Sequence, residues 1–111
     1  MGKRDLPEFE QLVLLAVARI GPHAYGMVVR DEIGHRTHRA PSLAAVYATL
    51  NKLETLDLLS SWTAPSTARR GGRATRHFQL EREGARALKT SQDRMRHMWD
   101  GVELAPYLEQ G

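Results

Sequence analysis

Ten residues, TARRGGRATR from Thr67 to Arg76, hold four arginines and two adjacent glycines without one acid. A guanidinium is permanently charged and planar, so it grips phosphate oxygens in pairs or slips into a narrow minor groove. Gly71 and Gly72 give such a loop a permissive backbone. The chemistry on offer at Arg69, Arg70, Arg73 and Arg76 is polyanion recognition rather than bond making. A second group lies upstream, in PSLAAVYATLNKLETLDLL. There Ser42, Thr49, Asn51 and Lys52 offer donors and acceptors on a face that Ala45 keeps low in bulk, which is what approach to base edges demands. A basic loop by itself is more often plain solvated surface, and Asn51 and Lys52 also suit an ordinary helix exterior. The elements around them therefore carry the decision.

Other chemistry has weaker support. His35 and His38 stand three apart at a helix end, but zinc wants three or four ligands. The chain has no cysteine and offers no evident third ligand, so both are expected on the surface, with no metal and no cofactor. Five histidines allow a Ser–His–Asp set to be drawn on paper, yet no G-x-S-x-G motif is present, and no catalytic residue is expected. A small metal-dependent enzyme resting on His35 and His38 is the weakest alternative.

Asp5 and Pro7 signal the start of a first helix, EFEQLVLLAVARI, which stops at Gly21-Pro22. Its second half is apolar on every side, so it needs cover from two directions and predicts a subunit interface. The second helix spans about Tyr25 to Thr37, with Tyr25, Val28, Val29 and Ile33 as its buried stripe. Pro41-Ser42 break the chain and cap a third helix, LAAVYATLNKLETLDLL. Leu43, Val46, Tyr47, Leu50, Leu53 and Leu56 form its buried side; Ser42, Ala45, Ala48, Thr49, Asn51 and Lys52 point elsewhere. The Tyr47 ring is expected in the core. Two β-compatible stretches, LLSSWTAP and TRHFQL, flank the arginine loop, the second with Phe78 and Leu80 inward and His77 and Gln79 outward.

The fold class expected is mostly α with a small β-hairpin: a winged helix-turn-helix with an added C-terminal dimerisation helix. Residues 1–80 would be the winged helix and 81–111 the dimerisation helix and tail. Ala85, Leu88, Gln92, Met95, Trp99 and Val102 follow a heptad a/d seam, too short to act without a partner. With Leu12 and Leu15 of the first helix, Leu88, Gln92, Met95, Met98 and Trp99 are the expected dimer or ligand face. Trp99 would plug the interface or offer a flat surface to a ligand between pliable methionines. The conformation of Tyr107 and its neighbours stays open.

At 111 residues and 41% hydrophobic, the chain can bury one core. Its longest apolar run, LVLLAVA from Leu12 to Ala18, is far short of the ~20 residues a membrane helix requires. No signal-peptide pattern opens it, so a cytoplasmic location and no membrane association are expected. Residues 1–80 carry 11 Lys and Arg against 7 Asp and Glu, and residues 81–111 carry 5 against 6. The positive charge thus sits with the expected winged helix, which favours an anionic partner there.

Three blocks carry a resemblance: FEQLVLLAVARIGPHAYGMVVRDEI, PSLAAVYATLNKLETLDLLSSW and RGGRATRHFQLEREGARAL. In order and spacing they resemble the PadR family of transcriptional regulators over about Leu6 to Leu88. The sequence departs from the family pattern at Ala44 and Asp57, where glycine is usual, and at Glu81, where threonine is usual. Asp57 is expected to oppose a helix dipole slightly. The resemblance implies a homodimeric DNA-binding protein, usually a repressor of a nearby operon, acting on a pseudo-palindromic duplex. It implies dimerisation through the C-terminal helix, a small aromatic effector near the dimer interface, and a backbone-phosphate contact at Tyr47. A winged-helix protein-interaction module without specific DNA binding is the alternative that the residues leave open.

Overall fold

Proline at position 7 has its φ fixed at −55° and opens the first helix, α1 (Glu8–Ile20), with Glu8 and Glu10 in the first turn. Acids there complement the exposed N–H groups of a helix start. Asp5 does not cap α1 as its position suggested; its carboxylate pairs with Arg94 near the other end of the chain. Gly21, at φ +80°, ends α1 in a conformation that side chains resist. This computed structural model describes residues 5–65 and 74–109.

The remaining elements are α2 (Gly26–Thr37), α3 (Leu43–Thr55), β1 (Leu59–Ala64), β2 (Thr75–Leu80), α4 (Arg82–Trp99) and α5 (Ala105–Leu108). The hydroxyl oxygen of Ser42 accepts from the Ala45 N–H at 3.0 Å, the expected cap of α3. The third helix is shorter than the apolar pattern predicted. It ends at Thr55 because Asp57 turns left-handed at φ +62°, and the Leu58 N–H returns to the Leu53 carbonyl at 3.0 Å. This closure satisfies late carbonyls of the helix and drives Leu58 inward. It also explains the glycine usual at that place: the difficulty for Asp57 is backbone conformation rather than the helix dipole.

Strands β1 and β2 pair antiparallel from Leu59 opposite Leu80 to Ala64 opposite Thr75. The Phe78 N–H donates to the Ala24 carbonyl at 2.8 Å, which ties the α1–α2 connection to the outer side of β2. Phe78, Leu14, Leu50, Leu53 and Leu59 are the largest wholly buried side chains, and with Val29 and Ile33 of α2 they give three helices and the strand pair one core. His77 was expected to face outward but is buried. Trp62 stacks on its ring at 4.4 Å with planes 9° apart, and Tyr25 lies beside it. A carbonyl can only accept, so Nδ1 of His77 donates to Pro22 O at 3.2 Å.

Helix α4 follows β2 at once. A methyl group on Gly84 would stand 2.3 Å from the Leu58 carbonyl oxygen, so this residue lets α4 lie against the end of α3. Glu81 precedes the helix without capping it; its carboxylate accepts from Ser60 Oγ at 2.5 Å and Gln79 Nε2 at 3.3 Å. Ala87 and Ser91 are buried and Leu88 is half-buried, whereas Gln92, Met95, Met98 and Trp99 are exposed. Eighteen residues make α4 about 27 Å long. The helix stops at Trp99 and Gly101 follows at φ +78°. Val102 therefore lies past the helix and does not continue the heptad seam. Three helices, an antiparallel strand pair and a trailing helix form a winged helix-turn-helix with a C-terminal extension, the fold class expected.

Candidate nucleic-acid interface

Val46, Leu50 and Leu53 bury one side of α3. Opposite them Ala44, Ala48, Asn51 and Thr55 recur at spacings of four, three and four residues, all exposed. This row is the outward face of the helix, and three of its four side chains are no larger than threonine or alanine. Ala45 and Lys52 form one shoulder; Thr49 turns further in and is half-buried. Thr55, absent from the expected set, completes the row. The heptad-like spacing from Ala48 would have found it.

Lys52 and Glu10 belong together. The Lys52 ammonium donates to Glu10 Oε2 at 2.7 Å, and the Glu10 side chain is only 10% exposed. The pair pins α3 to the first turn of α1 while the lysine stays 59% exposed. Nothing in the local pattern around Glu10 marked it as buried, because its partner lies 42 residues away.

Tyr47 sits on the other shoulder, at 37% exposure. A methyl group on Gly26 would fall 2.3 Å from Tyr47 Cζ and 2.6 Å from its hydroxyl oxygen. The ring thus lies directly on the first residue of α2 rather than in the core. The hydroxyl stands beside a helix N-terminus that no side chain caps. Free backbone N–H groups and a phenolic O–H at one point make a seat suited to a phosphate oxygen.

Of the arginine set, Arg76 lies within the described residues, and its guanidinium is engaged within the chain. Nη1 donates to Asn51 Oδ1 at 2.7 Å and Nε to Ser61 Oγ at 3.1 Å, while Nη2 pairs with Glu54. Ser61 Oγ in turn donates to Glu54 Oε2 at 2.6 Å. The guanidinium carbon also lies 4.9 Å from the centre of the Phe78 ring. Arg76 therefore joins the base of the strand pair to α3. Arg69, Arg70, Arg73 and the Gly71-Gly72 pair lie outside the described residues.

The expected dimer or ligand residues fall into two apolar areas. Leu12 and Leu15 line a hollow of about 200 Å³ between α1 and α2, with Ala16 and Ile33 at its floor and Arg19, Glu32 and Arg36 at its rim. Met95, Met98 and Trp99 line another, of about 230 Å³, with Val102 and Leu104. Gln92 is exposed on the intervening face of α4, and Leu88 is partly held by the core. His35 is exposed, and His38, also exposed, ends α2 in the left-handed region at φ +60°. No helix among the described residues is long and apolar enough to cross a membrane.

No family model matches the chain, and no curated protein matches it. Solved structures do. A PadR-like transcription factor from Bacteroides fragilis matches at a TM-score of 0.72 with 18% identity, covering 84% of each chain. A PadR family transcription regulator from Clostridium difficile matches at 0.68 with 15% identity, over 90% of this chain and 98% of that one. A PadR family transcriptional regulator from Eggerthella lenta matches at 0.68 with 20% identity, over 94% and 88%. At these identities the likeness establishes the fold, and the chain has the PadR-like winged-helix fold.

Proposed function

We propose that this chain is a sequence-specific DNA-binding transcriptional regulator, acting as a homodimeric repressor on a pseudo-palindromic duplex. The observation that carries this reading is the outward row of α3, Ala44, Ala48, Asn51 and Thr55, flanked by the Tyr47 seat and by Arg76 at the base of the strand pair. A helix so free of bulk can sink into a major groove while Asn51 and Thr55 meet base edges. Tyr47, Ser42 and Lys52 then face the backbone, and Arg69, Arg70 and Arg73 supply phosphate or minor-groove contacts beside it. Residues 1–80 act as the DNA-binding unit and residues 81–111 as the dimerisation unit. The structural neighbours, named as transcription regulators, support the same reading.

Dimerisation follows from surface that a lone chain leaves wet. Leu15, Met95, Met98, Trp99 and Val102 are all between 45% and 75% exposed. Burial of such side chains against a second copy supplies the usual driving force for association. The open apolar hollow beside Trp99, lined by Met95, Met98, Val102 and Leu104, suits a small aromatic effector once a second copy closes over it. Such a ligand regulates only if it binds the DNA-competent and incompetent dimers unequally, by changing the spacing of the two α3 helices.

The test is fluorescence anisotropy with the duplex upstream of this chain's own gene, run at several salt concentrations against scrambled competitor. Specific binding that survives competitor, with log K falling linearly in log salt, is the expected result. Salt-insensitive or sequence-blind binding across a genomic fragment selection overturns the reading in favour of a protein-interaction module.

A further inference from the structure

The Arg76 clasp has a consequence for which bases α3 reads, and the inference rests on the DNA-reading role proposed above. A guanidinium carries only donors. The Asn51 amide therefore has to present its oxygen to Arg76, and it does so at 2.7 Å. That orientation is reinforced, because Arg76 is itself held by Glu54 and Ser61 and cannot swing freely. Glu54 is fixed in turn by Ser61 at 2.6 Å. Three side chains, Glu54 on α3, Ser61 on β1 and Arg76 on β2, thus hold one amide. Among the described residues the Asn51 Nδ2 group donates to nothing, while the residue as a whole is exposed on the outward row.

We infer that Arg76 is a specificity-determining residue that acts through Asn51 by turning it into a donor. An unrestrained asparagine favours adenine, accepting from N6 and donating to N7 with both amide atoms. With Oδ1 turned toward a cation inside the protein, the amide no longer aims both of its polar atoms at one base edge. The remaining Nδ2–H groups suit acceptor edges: N7 and O6 of guanine, or O4 of thymine. Arg76 is in this respect a positioning residue, and its charge is directed at α3 rather than at phosphate.

The experiment selects binding sites from a randomised duplex pool with the wild-type protein, Asn51→Ala, Arg76→Met and Glu54→Gln. The position read by Asn51 is the one whose preference Asn51→Ala abolishes. Wild type is expected to prefer guanine or thymine there. Arg76→Met keeps an unbranched side chain over Phe78 but removes every donor, and should shift that position toward adenine by roughly tenfold. Glu54→Gln keeps an acceptor oxygen but loses the ion pair that steadies Arg76, so its base ratio should fall between those of the wild type and Arg76→Met. A ratio between bases is insensitive to the uniform loss of affinity that a lost charge brings. Adenine preference in the wild type at the Asn51-dependent position overturns the inference even if Arg76→Met does not fold, and so does an unchanged ratio in a folded Arg76→Met. A wild type with no base preference at any position overturns instead the DNA-reading role beneath it.

Discussion

Two single residues set local terms that the fold then absorbs. Asp57 occupies a left-handed backbone position, φ +62°, that the end of α3 requires. Left-handed backbone costs a side-chain-bearing residue about 1–2 kcal/mol, less for aspartate. Asp57→Gly should therefore raise stability by about 1 kcal/mol, seen as a higher thermal midpoint with unchanged DNA affinity. A lower midpoint would show that the Asp57 side chain contributes something its backbone conformation hides. Lys52 poses the opposite case. Its removal in Lys52→Ala leaves the Glu10 carboxylate, 10% exposed, without its cation. A buried group stripped of its partner costs about 1–3 kcal/mol, so chemical denaturation should show a loss of that order. An unchanged midpoint would mean that water replaces the ammonium at no cost.

Elements hold one another through a few close approaches. The α1–α2 pair is bridged by Glu32, which accepts from Arg36 at 2.6 Å and from Arg19 at 3.2 Å. The Arg36 hydrogen bond, against some desolvation and with help from Arg19, holds the Glu32 carboxyl below the ordinary carboxylate range. A carboxyl depressed in the folded state stabilises it above the unfolded pKa, and that stabilisation fades as pH falls through the folded value. Glu32→Gln should thus be less stable than wild type near neutrality, with the gap closing in acid. A gap that persists at pH 3 would assign the effect to packing instead. The contact of α4 with the end of α3 is less forgiving. Gly84→Ala sets a methyl 2.3 Å from a backbone oxygen, and overpacking of this kind costs about 1–3 kcal/mol. The expected result is a lower thermal midpoint together with a looser α4.

At the scale of the whole molecule, the radius of gyration is 16.9 Å, against about 13 Å for a compact chain of this length. The excess comes with an outline 58 Å long and an α4 whose second half has no core of its own. A helix carrying Met95, Met98 and Trp99 into solvent is marginal without a partner surface. In the proposed homodimer, Leu15→Glu and Trp99→Glu should each shift sedimentation from dimer toward monomer. DNA affinity should fall with them, since two half-sites can be held together only by two joined chains. A variant that stays dimeric would place the interface elsewhere.

Periodicity was enough to read three helices, a strand pair and a trailing helix from the chain, because each element buries one stripe and the stripe repeats with the element's own period. The polar outer side of α3 was legible for the same reason, and Thr55 was within reach of that logic. Contacts between residues distant in sequence were not. Glu10 meets Lys52 across 42 residues and Arg76 meets Asn51 across 25. His77 is inside because Trp62 covers it from the neighbouring strand, and α3 is short because Asp57 turns the backbone. Local sequence determined which faces are apolar and which are polar. Only the tertiary structure decided which polar groups satisfy one another inside the chain, and so which atoms remain for a partner, because a hydrogen bond depends on position in space and not on distance along the chain.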